Sequence, residues 1–243
     1  MKLFRAGDSS LFVLTGETIS TELSFYNRWL TGRLTDMRLT GVTEFVSSYT
    51  GVMIYFDPLI TRFDEIAAII EGLGTENAVQ CDEEAPGIVV PVAYGGEYGQ
   101  DLSQVAELSG LSAGEVAAIH SSGDYTVHML GFTPGFAYLG GMDGRISTPR
   151  KAEPALRVEP GSVGIAGDQT GIYPVESPGG WQIIGRTPLV LFDHEREPAF
   201  LFRAGMKVRF RAVDNYEFWH ICEKITLGEY TVEKFKACGD EVS

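Results

Sequence analysis

The chain opens with two short apolar runs, KLFRA (2–6) and SLFVLT (10–15), separated by Gly7-Asp8. Both are rich in strand formers and have the length of strands. Residues 19–31 change period. Leu23, Tyr26, Asn27 and Leu30 fall at helical spacing, and Gly32 follows as a stop signal. VTEFVSSY (42–49) and GVMIYF (51–56) return to strand character, joined by Thr50-Gly51, a hairpin-type connection. A second helix is expected over 61–73. There Thr61 can cap, Asp64 and Glu65 suit the first turn, and Phe63, Ile66, Ile69, Ile70 and Leu73 form the apolar face. The order strand, helix, strand, strand, helix is most of a split β-α-β, ferredoxin-like unit. CDEEAP (81–86) is polar, acidic and Pro-ended, and reads as a linker. The pattern therefore predicts a small N-terminal α/β domain over 1–86 and a second domain over 87–243.

IVVPVAY (88–94) starts the second domain as a strand, and residues 101–109 and 112–120 read as two short helices. Residues 131–185 hold 12 of the 29 glycines and 6 of the 11 prolines, interleaved with pieces such as SVGIAG and WQIIG. That density of turn residues between short strands predicts a closed or nearly closed β-barrel or sandwich. KVRFRAV (207–213) is a late strand, followed by a short helix near 215–224 and a strand near 229–235. The fold class is α+β.

Charge narrows the function classes. The chain carries 33 acids against 19 bases, a formal charge of −14, which argues against broad affinity for nucleic acid or an anionic membrane. No Lys or Arg lies between Arg62 and Arg145, a stretch with thirteen acids that suits a basic partner protein. Cys81, Cys222 and Cys238 form no C-x-x-C, which fits a reducing compartment. Without an apolar leader at MKLFRAGDSS or a window near the ~18 apolar residues of a membrane span, a cytoplasmic protein is expected.

Several motifs mimic chemistry. Gly110-Leu111-Ser112-Ala113-Gly114 matches the G-x-S-x-G elbow, but the upstream segment reads as a helix, and Ser112 with Glu115 makes a capping box. QVAELSGLSAGEVAAI resembles a helix-turn-helix, yet its second helix lacks the side chains that read bases. There is no Gly-Lys dipeptide for a Walker A loop, and Gly161, Gly164 and Gly167 do not open a helix. His120, His128, His194 and His220 show no ligand spacing, so no dedicated metal site is expected.

From Tyr94 onward the motifs become specific: YGGEYGQDL (94–102), GLS…IHS (110–121), LGFTPGFAYLGGMD (130–143), STPRKAEPALRVEPGSVGIAGDQTGIYP (147–174) and SPGGWQIIGRTPLVLFD (177–193). AGDSS (6–10) and YFDP (55–58) agree more loosely. Together they resemble the family of 5-oxoprolinase B subunits, also labelled allophanate hydrolase subunit 1 and the sporulation-kinase inhibitor family. The resemblance implies a small N-terminal α/β domain and a C-terminal cyclophilin-like β-barrel. It implies action with two further 5-oxoprolinase proteins, a C-like subunit similar in fold to the barrel domain and an A-like subunit of another fold. Together these would open the lactam of 5-oxoproline to glutamate using ATP, with magnesium as the nucleotide complex. The family also implies two other roles: a regulator that binds a sensor histidine kinase and blocks its autophosphorylation, and a urea- or allophanate-processing component. Ala137 and Asp168 stand where proline and glycine are frequent in the family.

Lactam opening requires donors for a phosphate and a carboxylate, and a general base for water. Arg150 and Arg186 supply guanidinium forks in the Gly-rich block, and Gln169, Tyr173, Ser177 and Trp181 are candidates to line the same substrate cleft. His120 and Glu97 are the candidate catalytic base and second carboxylate. Each has a structural alternative: His120 can cap its helix, the arginines can form ion pairs, Trp181 can pack, and Glu97 can serve its turn.

Overall fold

The computed structural model describes residues 1–18, 20–73 and 86–236, in two compact units, Met1–Asp82 and Glu83–Ser243. The expected linker at 81–86 lies outside the described residues except at Pro86, and Cys81 and Cys238 lie outside them as well.

The first unit runs β1 (Lys2–Arg5), β2 (Ser10–Leu14), α1 (Thr21–Asp36), β3 (Val42–Ser47), β4 (Gly51–Phe56) and α2 (Phe63–Gly72). Its strands form one antiparallel sheet in the order β1-β2-β4-β3. The expected ferredoxin-like order differs at one edge. That arrangement takes its last strand from after the second helix. Here β1 fills the edge beside β2, because a tight turn through Gly7, whose φ is 109°, folds the two into a hairpin. Leu11, Val13, Val52, Ile54 and Phe56 of the sheet meet Leu30, Leu34, Ile66 and Ile70 of the helices in one core. Helix α1 starts where Ser20 accepts from the Leu23 N–H at 3.1 Å, and it runs through Gly32 rather than stopping there. Burial of Leu34 outweighs the roughly 1 kcal/mol that a helical glycine costs. The N-cap of α2 is Arg62 rather than Thr61, and the Glu65 carboxylate accepts from both the Thr61 hydroxyl and the Arg62 N–H.

The second unit continues with β5 (Pro86–Tyr94), α3 (Leu102–Ser109), α4 (Ala113–Ser121), β6 (Asp124–Leu130) and β7 (Ala137–Gly140). Then come β8 (Ala155–Val158), β9 (Ser162–Ala166), β10 (Gln169–Ile172), β11 (Ser177–Gly179), β12 (Gln182–Arg186) and β13 (Lys207–Ala212), and finally α5 (Asn215–Thr226) and β14 (Lys234–Lys236). Strands β12-β9-β10-β7-β6-β13-β5 form a ring that β12 closes against the end of β5 through Gly185↔Tyr94 and Arg186↔Ala93. The closed seven-stranded barrel fits the cyclophilin-like expectation. The β13–β5 pair is parallel. Strand β14 adds to the outside edge of β5, and β8 and β11 make a separate two-stranded ribbon. Ser112 is the N-cap of α4: its Oγ accepts from the Glu115 N–H at 3.2 Å, and Glu115 accepts from the Ser112 N–H at 2.8 Å. The G-x-S-x-G resemblance is therefore a capping box.

The barrel interior is apolar except for one polar chain. His120 projects from the last turn of α4 and is fully buried, its ring 4.4 Å from that of Phe210. The Thr170 hydroxyl donates to the Gly164 carbonyl at 2.9 Å, so it accepts from His120 Nε2–H at 2.9 Å, and Nδ1 accepts from the Tyr94 hydroxyl at 2.7 Å. Every polar atom in the chain is then satisfied by a neutral imidazole. Burial lowers the His120 pKa from 6.5 to about 3. The Tyr125 hydroxyl also donates to the His120 carbonyl at 2.8 Å, so this histidine is held by its backbone as well.

A Cβ on Gly99 would fall inside the Ile184 carbonyl, so Gly99→Ala must move backbone at the seam where β12 meets β5. Urea unfolding should show a loss of about 2 kcal/mol or more. For His120 the folded pKa lies below the unfolded one, so the unfolded chain takes up the proton first as pH falls. Stability tied to this group is intact above about pH 6.5 and is lost downward toward about pH 3, at up to about 1.4 kcal/mol per pH unit. Nitrogen-15 NMR should find His120 neutral from about pH 5 to 8, and His120→Ala should cost about 2–5 kcal/mol by orphaning Tyr94 and Thr170. A titration near its ordinary value would refute the enclosed chain.

Candidate functional site

The sequence candidates separate into three places. His120 is sealed inside the barrel, where neither water nor substrate meets it. Its role as a general base is therefore replaced by one in the core. Its alternative as a simple helix cap gives way too, because both ring nitrogens bond across the barrel.

Arg150, Gln169, Tyr173, Ser177 and Trp181 belong to the outer face of the barrel. Strands alternate sides, so Thr170 and Ile172 face inward while Gln169, Gly171 and Tyr173 face out. Register places Gln169 opposite Ala166, and Gly171 between Tyr138 and Gly164. The glycines are required there: a Cβ on Gly171 would lie 2.9 Å from the Trp181 ring and 3.1 Å from that of Phe136. Phe136, Tyr138, Tyr173 and Trp181 consequently form an aromatic layer, with Phe136 edge-on to Tyr173 at 5.1 Å and to Trp181 at 5.5 Å. Trp181 is 5% exposed and packs within this layer. The β8–β11 ribbon borders the layer through Val158, paired with Ser177, and Gly179, where an added Cβ would overlap the Tyr173 side chain. The Ser177 Oγ is enclosed, with no hydrogen-bond partner among the described residues.

Arg150 is presented to this face by a tethered segment. The Gly167 N–H donates to the Thr148 carbonyl at 2.7 Å, Gln182 Nε2 donates to the Pro149 carbonyl at 3.1 Å, and the Lys151 N–H donates to the Gly180 carbonyl at 2.7 Å. Lys151 Nζ lies 2.5 Å from Asp101 Oδ2, which also accepts from the Ile183 N–H at 2.7 Å. Arg150 itself is exposed and has no carboxylate at ion-pair distance among the described residues. Its charge is felt by the Tyr138 and Tyr173 phenols, lowering both against the stronger effect of burial, which leaves Tyr173 pushed up to about 12. Sequence reasoning missed Phe136, Tyr138 and Gln182. The alternation Phe136, Tyr138, Gly140 in GFAYLG was the available signal for the first two.

Glu97 and Arg186 meet elsewhere. They line a cleft of about 400 Å³ with Pro160, Pro188, Phe218 and Trp219. Trp181 immediately precedes β12 and Arg186 ends it, so the strand separates the two. Gln169, Tyr173 and Arg150 are not among the residues lining this cleft. Among the described residues no cluster of His, Cys, Asp or Glu could hold a metal ion, and no helix is long and apolar enough to cross a membrane.

Residues 1–202 match the family Carboxyltransferase domain, subdomain C and D. The chain is 37% identical over 222 residues to the 5-oxoprolinase B subunit of Bacillus subtilis (strain 168), covering 87% of this chain and 92% of that one. Among solved structures it is similar to TTHA0988, with a TM-score of 0.75 and 33% identity over 85% of this chain and 40% of that one. It shares its fold with the urea amidolyase of K. lactis, with a TM-score of 0.78 and 22% identity over 96% of this chain and 16% of that one. The family match and the identity to curated relatives agree, and the chain belongs to the family of 5-oxoprolinase B subunits, built on subdomains C and D of the carboxyltransferase domain.

Proposed function

We propose that this chain is the component of an ATP-dependent 5-oxoprolinase that binds the lactam, 5-oxo-L-proline, which the assembled enzyme opens to L-glutamate. The observation that carries the reading is Arg150, an exposed guanidinium without a carboxylate partner among the described residues, held by a tethered segment beside Tyr138 and Tyr173. A lactam acid offers a carboxylate, an amide N–H, an amide oxygen and a small ring. The guanidinium fork matches the carboxylate. The Gln169 carboxamide has both a donor and an acceptor for the ring amide. The Tyr173 phenol is buried, and its ring backs the face from below. Tyr138, half-buried, supplies an aromatic wall that Trp181 backs.

These groups bind and polarise, but none of them is a carboxylate or an imidazole. Opening the ring needs an electrophilic carbon, which ATP provides by phosphorylating the amide oxygen, and a base for the attacking water. Among the described residues the face offers one guanidinium without a carboxylate partner, since Lys151 is held by Asp101, and a triphosphate needs more donors than that. ATP with its magnesium and the base therefore belong, in this reading, to the A-like and C-like partner proteins. The Bacillus subtilis relative is named as one subunit among others, which supports dependence on partners.

The test mixes this chain with those partners and follows 5-oxoproline- and ATP-dependent glutamate release, omitting each protein in turn. Release should vanish without this chain. Arg150→Ala should lower kcat/KM for 5-oxoproline by about 100-fold, the worth of a charge-assisted pair, and Gln169→Ala by about tenfold, with assembly of the complex unchanged in both. Undiminished release without the chain, or wild-type kcat/KM in both variants, would overturn the proposal.

A further inference from the structure

The cleft bordered by α5 takes no part in the reading above, and its walls describe a different ligand. At about 400 Å³ it has the scale of a small-molecule site. Most of its lining is apolar: Pro160, Pro174, Pro188, Leu189, Phe218 and the 61% exposed Trp219. Only two lining residues are charged, and they are opposite in sign, Glu97 and Arg186.

Both charges are only partly engaged, Arg186 by Glu159 and Glu97 by the neighbouring Tyr98 phenol. Arg186 donates through Nε to the Pro160 carbonyl at 2.9 Å, which fixes its side chain, and its Nη2 lies 4.0 Å from Glu159. Glu159 is itself engaged by Arg157 at 2.9 Å, so it neutralises Arg186 weakly, and Nη1 has no protein partner among the described residues. Glu97 is exposed in the turn opened by Gly95 and Gly96, both at positive φ, and has no cation at ion-pair distance among the described residues. That turn is pinned by the Gly95 N–H on the Ile184 carbonyl at 3.0 Å and by the Gly99 N–H on the Gly95 carbonyl at 2.9 Å.

We propose that this cleft binds a free α-amino acid with an apolar side chain. The ligand carboxylate meets Arg186, the ammonium meets Glu97, and the side chain lies against the prolines, Phe218 and Trp219. The zwitterion is selected by the paired charges. A lactam acid has a neutral N–H and a nucleotide has no cation, so either would cover Glu97 without giving it a partner, which costs free energy. An apolar body is selected because prolines, Leu189, Val190, Phe218 and Trp219 make up most of the remaining wall, with Tyr98, Thr187 and Cys222 its polar members.

Titration of the purified chain with L-proline, L-leucine and L-phenylalanine, followed by calorimetry and by Trp fluorescence, tests the site. At least one should bind saturably with a Kd below about 1 mM. Its methyl ester and its N-acetyl derivative, each lacking one charge, should bind about tenfold more weakly or worse. Arg186→Gln should weaken the amino acid but not further weaken the ester, and Glu97→Gln should do the same for the N-acetyl derivative. Glu97 is exposed and pairs with no cation among the described residues, so its variant remains decisive if loss of the Arg186–Pro160 bond lowers the unfolding midpoint. No saturable binding of any of the three up to about 10 mM, or equal affinity for the charge-blocked derivatives, would overturn the proposal.

Discussion

The hydrogen-bond chain from Tyr94 through His120 and Thr170 to Gly164 is the constraint on which the second unit depends. It links α4 to three barrel strands, β5, β9 and β10, through the interior. A polar group placed there without partners would cost about 1–3 kcal/mol. Because donors and acceptors alternate along the chain, only one tautomer of a neutral imidazole satisfies all of them. The same enclosure that makes the chain structural removes His120 from catalysis. A base must meet water, and this one meets Phe210, Tyr125 and Tyr94.

What the interior fixes, the exterior uses. Strand β10 places Thr170 in the polar chain and Gln169 and Tyr173 on the opposite side of the sheet. The position of the candidate binding groups is therefore set by a hydrogen bond they do not make. Gly164 serves both layers too: its carbonyl ends the interior chain, while its lack of a side chain gives the Trp181 Cβ room on the outer face. A substitution at either residue would disturb both layers together.

Local features were legible in the sequence, and long-range ones were not. The Ser112–Glu115 capping box, the β3–β4 hairpin and the glycine-dense barrel all depend on residues a few positions apart, or on composition. Gly32 misled because a stop signal is read locally, while the burial of Leu34 that overrides it is tertiary. His120 looked like a base or a cap because its true partner, Thr170, is 50 residues away. The parallel pairing of β13 with β5 joins segments more than a hundred residues apart, and no local pattern announces it. The candidate site was legible as a set of residue types. Its division between an outer face and a cleft was not, since Trp181 and Arg186 are close in sequence yet separated by the length of β12.

Charge explains why a single arginine can matter. The chain carries −14, and no Lys or Arg occurs between Arg62 and Arg145, so an approaching anion is repelled at long range. At physiological ionic strength that repulsion is screened over about 8 Å, and within that distance an unpaired Arg150 dominates. The balance depends on ligand charge. A monoanionic lactam acid gives up one unit of repulsion and recovers it at one guanidinium. A nucleotide triphosphate multiplies the repulsion several-fold and meets the same single guanidinium. Under the proposed function, these electrostatics suit a division of labour in which this chain holds the small anion and a partner holds the large one.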